Sequence, residues 1–250
     1  MDLLAGRVLG YVLILTRVGT FLLAAPVFGW ESIPRQFRLC LALLVSMFFA
    51  GRHAYAIPAA DQGSIEVLLW VAYEAIYGLA LGLICAILFG TIRVSARVIE
   101  QEMGLSLANV IDPLTGQMSQ PLGMLLEIVL IMLFLAAGGH HMLIQVLAGS
   151  YEKIPVGSTP DIARLAKAVT AAGSLMMLLG LKLASPILGA SLLAMVVLAV
   201  MARVAPEANV LFLSFPLRIG MGLILVGIFV PFTNSFVKEF TKYLQPLLPF

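Results

Sequence analysis

Six apolar segments dominate this chain and restrict the folds that it can adopt. They are Val8–Trp30, Leu39–Gly51, Val67–Ile92, Leu122–Ala148, Ala168–Met201 and Ala208–Phe232. A membrane-spanning helix needs about 20 apolar residues, so the second segment is short for a span and the fifth is long. The fifth segment also contains Lys182 and Pro186, and the proline, which removes a backbone hydrogen bond, favours two helices or one broken helix. The pattern predicts an all-α fold of polytopic hydrophobic helices, some of them broken.

The composition decides where such helices can reside. Hydrophobic residues make up 61% of the chain and charged residues 11%, whereas a soluble surface needs about 25–35% charged residues. The chain therefore belongs in a membrane, with lipid around it, or in a complex that buries most of it. The net charge of +2 gives no reason to expect a nucleic-acid partner. Cys40 and Cys85 lie in apolar segments and form neither a disulfide framework nor a metal-binding set.

The stretch from Arg93 to Pro121 (93–121) is unlike both the apolar segments and an ordinary loop. Its first part carries charge as far as Glu102 and can extend the preceding helix. Its second part is too broken by glycine and proline to span a membrane, and too poor in charge for a solvated connector. We predict a loop that is held inside an assembly. Its candidate residues are Gly104, Leu105, Leu107, Ile111, Asp112, Pro113, Leu114, Gly116 and Met118.

Lone charges occur within the apolar segments, where charge is expensive. They are Arg17, Glu74, Glu127, Lys182 and Arg218. One interpretation is a proton or ion path, and the other is a set of salt bridges between helices inside an assembly. The second interpretation is favoured, because no two of these charges stand together at helical spacing as a relay would require.

A stripe of small residues runs along the third apolar segment. Gly78, Gly82, Ala86 and Gly90 recur every four residues and therefore share one helix face. Such stripes let a second helix approach closely within a membrane, so we predict an assembly contact here. The alternative is a chance pattern in a glycine-rich apolar chain.

No catalytic motif is apparent in the sequence. His140 and His141 are adjacent rather than four residues apart, and no third ligand lies nearby, so we expect neither a metal site nor a cofactor. An intramembrane hydrolase that used Glu74, Glu127 and His140 would lack a nucleophile beside a base. The last residues, 233–250, place aromatic and apolar side chains opposite two lysines, which predicts an amphipathic C-terminal helix.

A proline-bracketed run near the C-terminus is similar to a known signature. Arg203, Pro206, Asn209 and Pro216 are spaced as in the FliR/SctT family of type III export-gate proteins, although Leu211 stands where phenylalanine is common. Further matches to the family's pattern occur in the same order along the chain, so that the resemblance covers nearly all of it. These matches are Ile33-Pro34, Glu100, Met103-Gly104, Asp112-Pro113, Gly116, Gly138-Gly139-His140-His141 and Ser150-Tyr151-Glu152 with Pro155.

This resemblance implies a function that composition cannot supply. It implies that residues 1–250 form one subunit of a flagellar export gate in the bacterial inner membrane, at the basal body. The partners would be FliP-type, FliQ-type and FlhB-type subunits, together with the unfolded proteins that are exported. The resemblance further implies a non-enzymatic channel role, with the 104–121 loop closing the pore as a plug. The alternative is a secondary transporter with an intramembrane site, but its internal repeats are not visible.

Overall fold

The structure is a computed structural model, and six α-helices make up most of the chain that it describes. The described residues are 2–26, 28–29, 34–52, 64–104, 121–205, 212, 214, 216–224, 226–227, 239, 242–244 and 247–248. The helices are α1 (Asp2–Ala24), α2 (Arg35–Arg52), α3 (Ser64–Glu102), α4 (Pro121–Ala136), α5 (Gly139–Lys153) and α6 (Ile162–Val204). The all-α prediction is confirmed for this part of the chain, which contains no strand.

The third helix is much longer than the apolar segment that predicted it. The helix α3 continues without interruption through the charged residues after Ile92 and ends at Glu102. The prediction that this charged stretch extends the preceding helix is therefore confirmed. Gly104 then adopts a φ of +74°, a left-handed conformation that ends helices and that glycine adopts without a Cβ clash.

The fourth apolar segment, expected as one run, consists of two helices. The helix α4 ends at Ala136, and α5 begins at Gly139 after Gly138, which has a φ of +75°. The segment breaks there because a left-handed residue cannot continue a right-handed helix. At its other end α5 stops at Lys153, just before Pro155, which cannot donate a backbone hydrogen bond to the turn before it.

The fifth apolar segment is one helix in spite of its proline. The helix α6 passes through Pro186, which has no N–H to donate to the carbonyl oxygen of Lys182. The hydroxyl of Ser185 donates to that same carbonyl oxygen at 2.8 Å. Because a local side chain satisfies the freed acceptor, the helix continues through the proline. The prediction of two helices or one broken helix for this segment is therefore wrong.

Not every apolar segment gives a described helix that could cross a membrane. Three of the described helices are long and apolar enough to cross a membrane, namely Gly6–Ala24, Ile65–Glu102 and Ile162–Val204, and a fourth span is possible if α4 and α5 together form a broken one. The helix α2 has basic residues at both ends and does not qualify. About half of the last apolar segment, Ala208–Phe232, lies outside the described residues, as does most of the predicted helix 233–250.

The chain divides into two compact units. Unit 1 comprises residues 1–89, 138–173 and 241–250, and unit 2 comprises residues 90–137 and 174–240. Unit 1 holds α1, α2, α5 and the first part of α3, with Leu13, Ile14 and Leu81 among its fully buried side chains. Unit 2 holds the end of α3, α4 and most of α6, with Ile92 and Ile99 buried.

Candidate functional site

A fully buried ion pair lies at the centre of unit 1. The side chains of Arg17 on α1 and Glu74 on α3 are both 0% exposed. Arg17 Nε donates to Glu74 Oε2 at 2.5 Å, and Arg17 Nη2 donates to Oε1 at 3.1 Å. This two-pronged geometry is the strongest form of arginine–carboxylate contact. Two of the charges expected to form interhelical salt bridges therefore pair within this chain.

The same pair holds the connector between α5 and α6. Glu74 Oε1 also accepts the backbone N–H of Gly157 at 2.8 Å, while Arg17 Nη1 donates to the carbonyl oxygen of Ile154 at 3.1 Å. Arg17 Nη1 lies 3.4 Å from Ser150 Oγ on α5. Each polar group that the pair buries is thus matched by another polar group, which a buried charge requires. The contacts join α1, α3, α5 and the connector in one network.

Aromatic rings enclose the Arg17 guanidinium. Its central carbon lies 4.5 Å from the centre of the Tyr151 ring and 5.2 Å from that of Tyr77. The two hydroxyls bond to backbone carbonyls of other segments, Tyr151 to Ile14 at 3.3 Å and Tyr77 to Thr159 at 3.0 Å. Cation–π contact of this kind is strengthened where water is excluded. The arrangement holds the guanidinium in a fixed position.

Two members of the small-residue stripe lie against α1. A Cβ atom added at Gly82 would lie 2.7 Å from the Cβ of Ala24 and 2.8 Å from the carbonyl oxygen of Phe21. One added at Gly78 would overlap the hydroxyl of Thr20 and the carbonyl oxygen of Arg17. The close approach is thus between α3 and α1 of the same chain, and a role of these glycines in contacts with other subunits stays a prediction.

The other described glycine of the stripe lies in unit 2. A Cβ atom at Gly90 would lie 2.8 Å from the sulfur of Met176 on α6. One turn further along, Gly180 of α6 faces back onto α3, where an added Cβ would lie 3.0 Å from the Cβ of Val94. Small residues on both helices therefore allow α3 and α6 to pack closely in this unit.

A polar junction joins α3 to α4 in unit 2. Glu100, which is 6% exposed, accepts the backbone N–H of Gly123 at 2.9 Å through Oε1. Nearer the middle of both helices, Arg93 forms a salt bridge with Glu127. Met103, next to the end of α3, is buried. The last part of α3 and the first part of α4, which flank the segment 105–120, are therefore held together by side chains of α3.

Many of the residues singled out in the sequence lie outside the described part of the chain. These are Leu105, Leu107, Ile111, Asp112, Pro113, Leu114, Gly116, Met118, Pro206 and Asn209. Arg203 is exposed in the last turn of α6, and Pro216 is helical and exposed. Ala86 is half-buried on α3. Their roles in closure and assembly stay predictions.

The two adjacent histidines lie side by side at the start of α5. Their ring centres are 4.1 Å apart at the start of α5, and the Nδ1 atom of His140 is buried without a hydrogen-bond partner. Among the described residues there is no cluster of three or more side chains suited to bind a metal ion.

Apolar side chains cover much of the outer surface of both units. Phe37, Leu44, Met47 and Phe48 of α2 are each more than 60% exposed. On α6, Leu192, Leu193 and Val196 are exposed to the same degree. Monomeric soluble proteins rarely show such continuous apolar faces, so lipid or other protein must cover them.

These observations define a class of protein, namely an all-helical membrane protein whose charges fix helix positions. The particular family follows from comparison with known proteins. Residues 8–244 match the family described as bacterial export proteins, family 1. The chain belongs to this family, so it is a component of a bacterial protein export apparatus of the flagellar or type III kind.

Relatives of the chain are named for both kinds of apparatus. Flagellar biosynthetic protein FliR of Escherichia coli (strain K12) is 30% identical over 236 residues, which cover 94% of this chain and 89% of that protein. The protein of the same name from Bacillus subtilis (strain 168) is 26% identical over 219 residues, covering 86% and 84%. Yop proteins translocation protein T of Yersinia pestis is 28% identical over 236 residues, covering 91% and 88%.

Proposed function

We propose that this chain is a channel subunit of the flagellar type III export gate, and that it helps to form and to close the path taken by unfolded axial proteins. The gate lies in the bacterial inner membrane at the flagellar basal body. The role is structural and involves no catalysis. One observation supports the closing role most directly, namely that Glu100 and Arg93 of α3 bond to Gly123 and Glu127 of α4, so that the two helices on either side of the neutral segment are joined to each other.

The exposed surfaces support the assembly part of the proposal. The apolar faces of α2 and α6 need a cover, and a gate subunit obtains it from neighbouring subunits as well as from lipid. We propose that FliP-type, FliQ-type and FlhB-type subunits provide this cover. Arg203 stands exposed at the end of α6, beside the proline-bracketed run shared with the family, and is proposed as part of an assembly contact.

The chemistry of the segment 104–121 supports the closing part. Its side chains are mostly apolar or uncharged, and an apolar constriction excludes ions by keeping water out. A barrier of this kind also has to yield to each arriving chain, so many weak contacts suit it better than a few strong ones. Gly104 and Gly116 provide backbone freedom at positions where the segment would bend.

The proposal is tested by deleting Leu105–Ser119 from the chain within the assembled complex. The expected result is a rise in the leakage of ions or small dyes across the membrane, with the complex intact on a sizing column. A length-preserving variant changes Leu105, Leu107, Ile111, Leu114 and Met118 to serine, and we expect it to leak as well. Its matched control changes Ser106, Thr115 and Ser119 to alanine and should stay tight. An intact complex with unchanged leakage in both test variants would reject the closing role.

A further inference from the structure

The carboxylate of Glu100 caps the N-terminus of α4, although Glu100 belongs to a different helix, α3. Gly123 is the third residue of α4, and the first four N–H groups of a helix have no partner inside it. Glu100 reaches across from the last turn of α3 and accepts one of them at 2.9 Å. A negative charge at this end is also favoured by the dipole of the helix. The start of α4 is therefore fixed by a residue of α3.

A second contact holds the same two helices at a different depth. Arg93 lies two turns before Glu100 on α3, and Glu127 lies one turn after Gly123 on α4. Their salt bridge is partly open to the surroundings, with side chains 62% and 22% exposed. Two contacts at different points along a helix pair fix its register and its angle, which a single contact cannot do.

A third contact fixes the end of α3 itself. Met103 is 2% exposed and packs on Gly222 of the helical segment 216–224. A Cβ atom at Gly222 would lie 2.6 Å from the sulfur of Met103 and 2.8 Å from its methyl carbon, so no larger residue fits there without displacing Met103. The chain then leaves the helix through the left-handed turn at Gly104.

We propose that Arg93, Glu100, Gly123 and Glu127 form a clasp, and that Glu100 is its positioning residue. The clasp sets where the chain leaves α3 and where it enters α4. This inference rests on the proposed closing role of the segment between them and assigns the control of that role to residues outside it. Opening the clasp frees the start of α4, so the closing segment is held less firmly and the idle gate leaks.

The two polar contacts of the clasp differ in strength, so its residues differ in importance. Glu100 is buried and accepts through its carboxylate, and hydrogen bonds to such groups are stronger than those between neutral groups. Arg93 and Glu127 are a more exposed pair, and exposed ion pairs contribute little because solvent screens them. Substitutions at Glu100 are therefore expected to act more strongly than those at Arg93.

The test compares Glu100→Ala with a matched control in the same turn, Glu102→Ala, whose side chain is half-exposed. Loss of the buried charged bond shifts the balance between clasped and unclasped states by about tenfold or more. We expect leakage of the assembled complex to rise by that order in Glu100→Ala and to stay at the starting level in Glu102→Ala. Glu100→Gln keeps an acceptor oxygen and should restore most of the tightness.

A second readout follows the clasp itself. Spin labels at Gln101→Cys and Met124→Cys report the separation of α3 and α4, because both positions are exposed. Cys40 is changed to serine in this background, and Cys85 is buried and does not label. The distance distribution should broaden in Glu100→Ala and keep its width in Glu102→Ala. An unchanged distribution in Glu100→Ala overturns the clasp.

The two readouts separate failure of the clasp from failure of the closing role. If deletion of Leu105–Ser119 leaks while Glu100→Ala stays tight, the closing role stands and the clasp is rejected. If neither leaks, the closing role fails and the control that the clasp exerts over it fails too. A wider distribution would then support Glu100 only as the residue that positions α4.

Variants of the Arg93–Glu127 salt bridge test the clasp independently of Glu100. Arg93→Ala is compared with Arg97→Ala, since both arginines are exposed on α3 but only Arg93 bonds to Glu127 among the described residues. A small rise in leakage is expected for Arg93→Ala alone, and the exchange Arg93→Glu with Glu127→Arg should reverse it. Equal effects of the two alanine variants would count against the clasp.

Discussion

Replacing Arg17 with methionine would leave the carboxylate of Glu74 buried without its cation. Both side chains are 0% exposed, so water cannot take the place of the lost partner. Breaking a buried ion pair in this way costs about 3–5 kcal/mol, a large part of the total stability of a typical domain. The variant Glu74→Leu leaves the guanidinium of Arg17 unpaired and is expected to cost about the same.

The double variant Arg17→Met with Glu74→Leu distinguishes a mutual pair from two separate contributions. Replacing both members of a buried pair by apolar groups is close to neutral for the pair itself. The N–H of Gly157 and the carbonyl of Ile154 lose their partners, however, at about 1–3 kcal/mol each. We therefore expect a total of about 2–6 kcal/mol, well below the sum of about 6–10 kcal/mol for the two single variants.

Cys85 supplies the assay for these variants. It is buried in unit 1, whereas Cys40 is exposed, so a thiol-reactive dye on a Cys40→Ser background reports the exposure of Cys85 on unfolding. For a chain of this size about 1 kcal/mol corresponds to about 2–4 °C, so each single variant should unfold about 6–20 °C earlier. The control Lys182→Met removes an exposed charge from an apolar helix and should change little. Additive effects of the two single variants would refute the reasoning.

Two further predictions concern close packing and assembly. Gly78→Ala places a methyl group against the carbonyl oxygen of Arg17, a backbone atom that cannot move aside cheaply, so we expect earlier unfolding in the same assay. Gly189→Ala is its control, because no atom of another described element lies within 4 Å of the added atom, and alanine should be neutral or stabilising in that helix. Arg203→Ala should reduce co-purification of the partner subunits, whereas Lys167→Ala, at the other end of α6, should not. Equal losses from these last two variants would remove the special role of Arg203.

The helical class of this protein follows from the sequence alone. A long apolar run with few charges can satisfy its backbone groups in a membrane without help from its neighbours only as a helix, because the hydrogen bonds of a helix lie within the segment itself. The extension of α3 to Glu102 is likewise a local property, because the residues after Ile92 contain neither glycine nor proline. The family can also be recognised from the sequence, since its spaced motifs are identified without knowledge of the contacts that they make.

Helix breaks are harder to predict from the sequence, because they depend on which groups bond to the backbone N–H and C=O groups that lose their helical partners. A proline predicts a break in α6, and the helix continues there because the hydroxyl of Ser185 takes over the carbonyl of Lys182. Gly138 and Gly139 lie inside the apolar segment Leu122–Ala148, and this pair separates α4 from α5 because Gly138 takes a left-handed conformation. Both outcomes turn on one torsion angle or one hydrogen bond.

The pairing of the charges was decided by the tertiary structure. Arg17 and Glu74 stand 57 residues apart, and Glu100 and Gly123 stand 23 apart across a segment with no regular pattern. Hydrophobic periodicity reports which face of a helix is buried, but it carries no information about which helix lies opposite. The sequence therefore determined that lone charges in apolar helices need partners, and only the packing of the helices determined which partners they have.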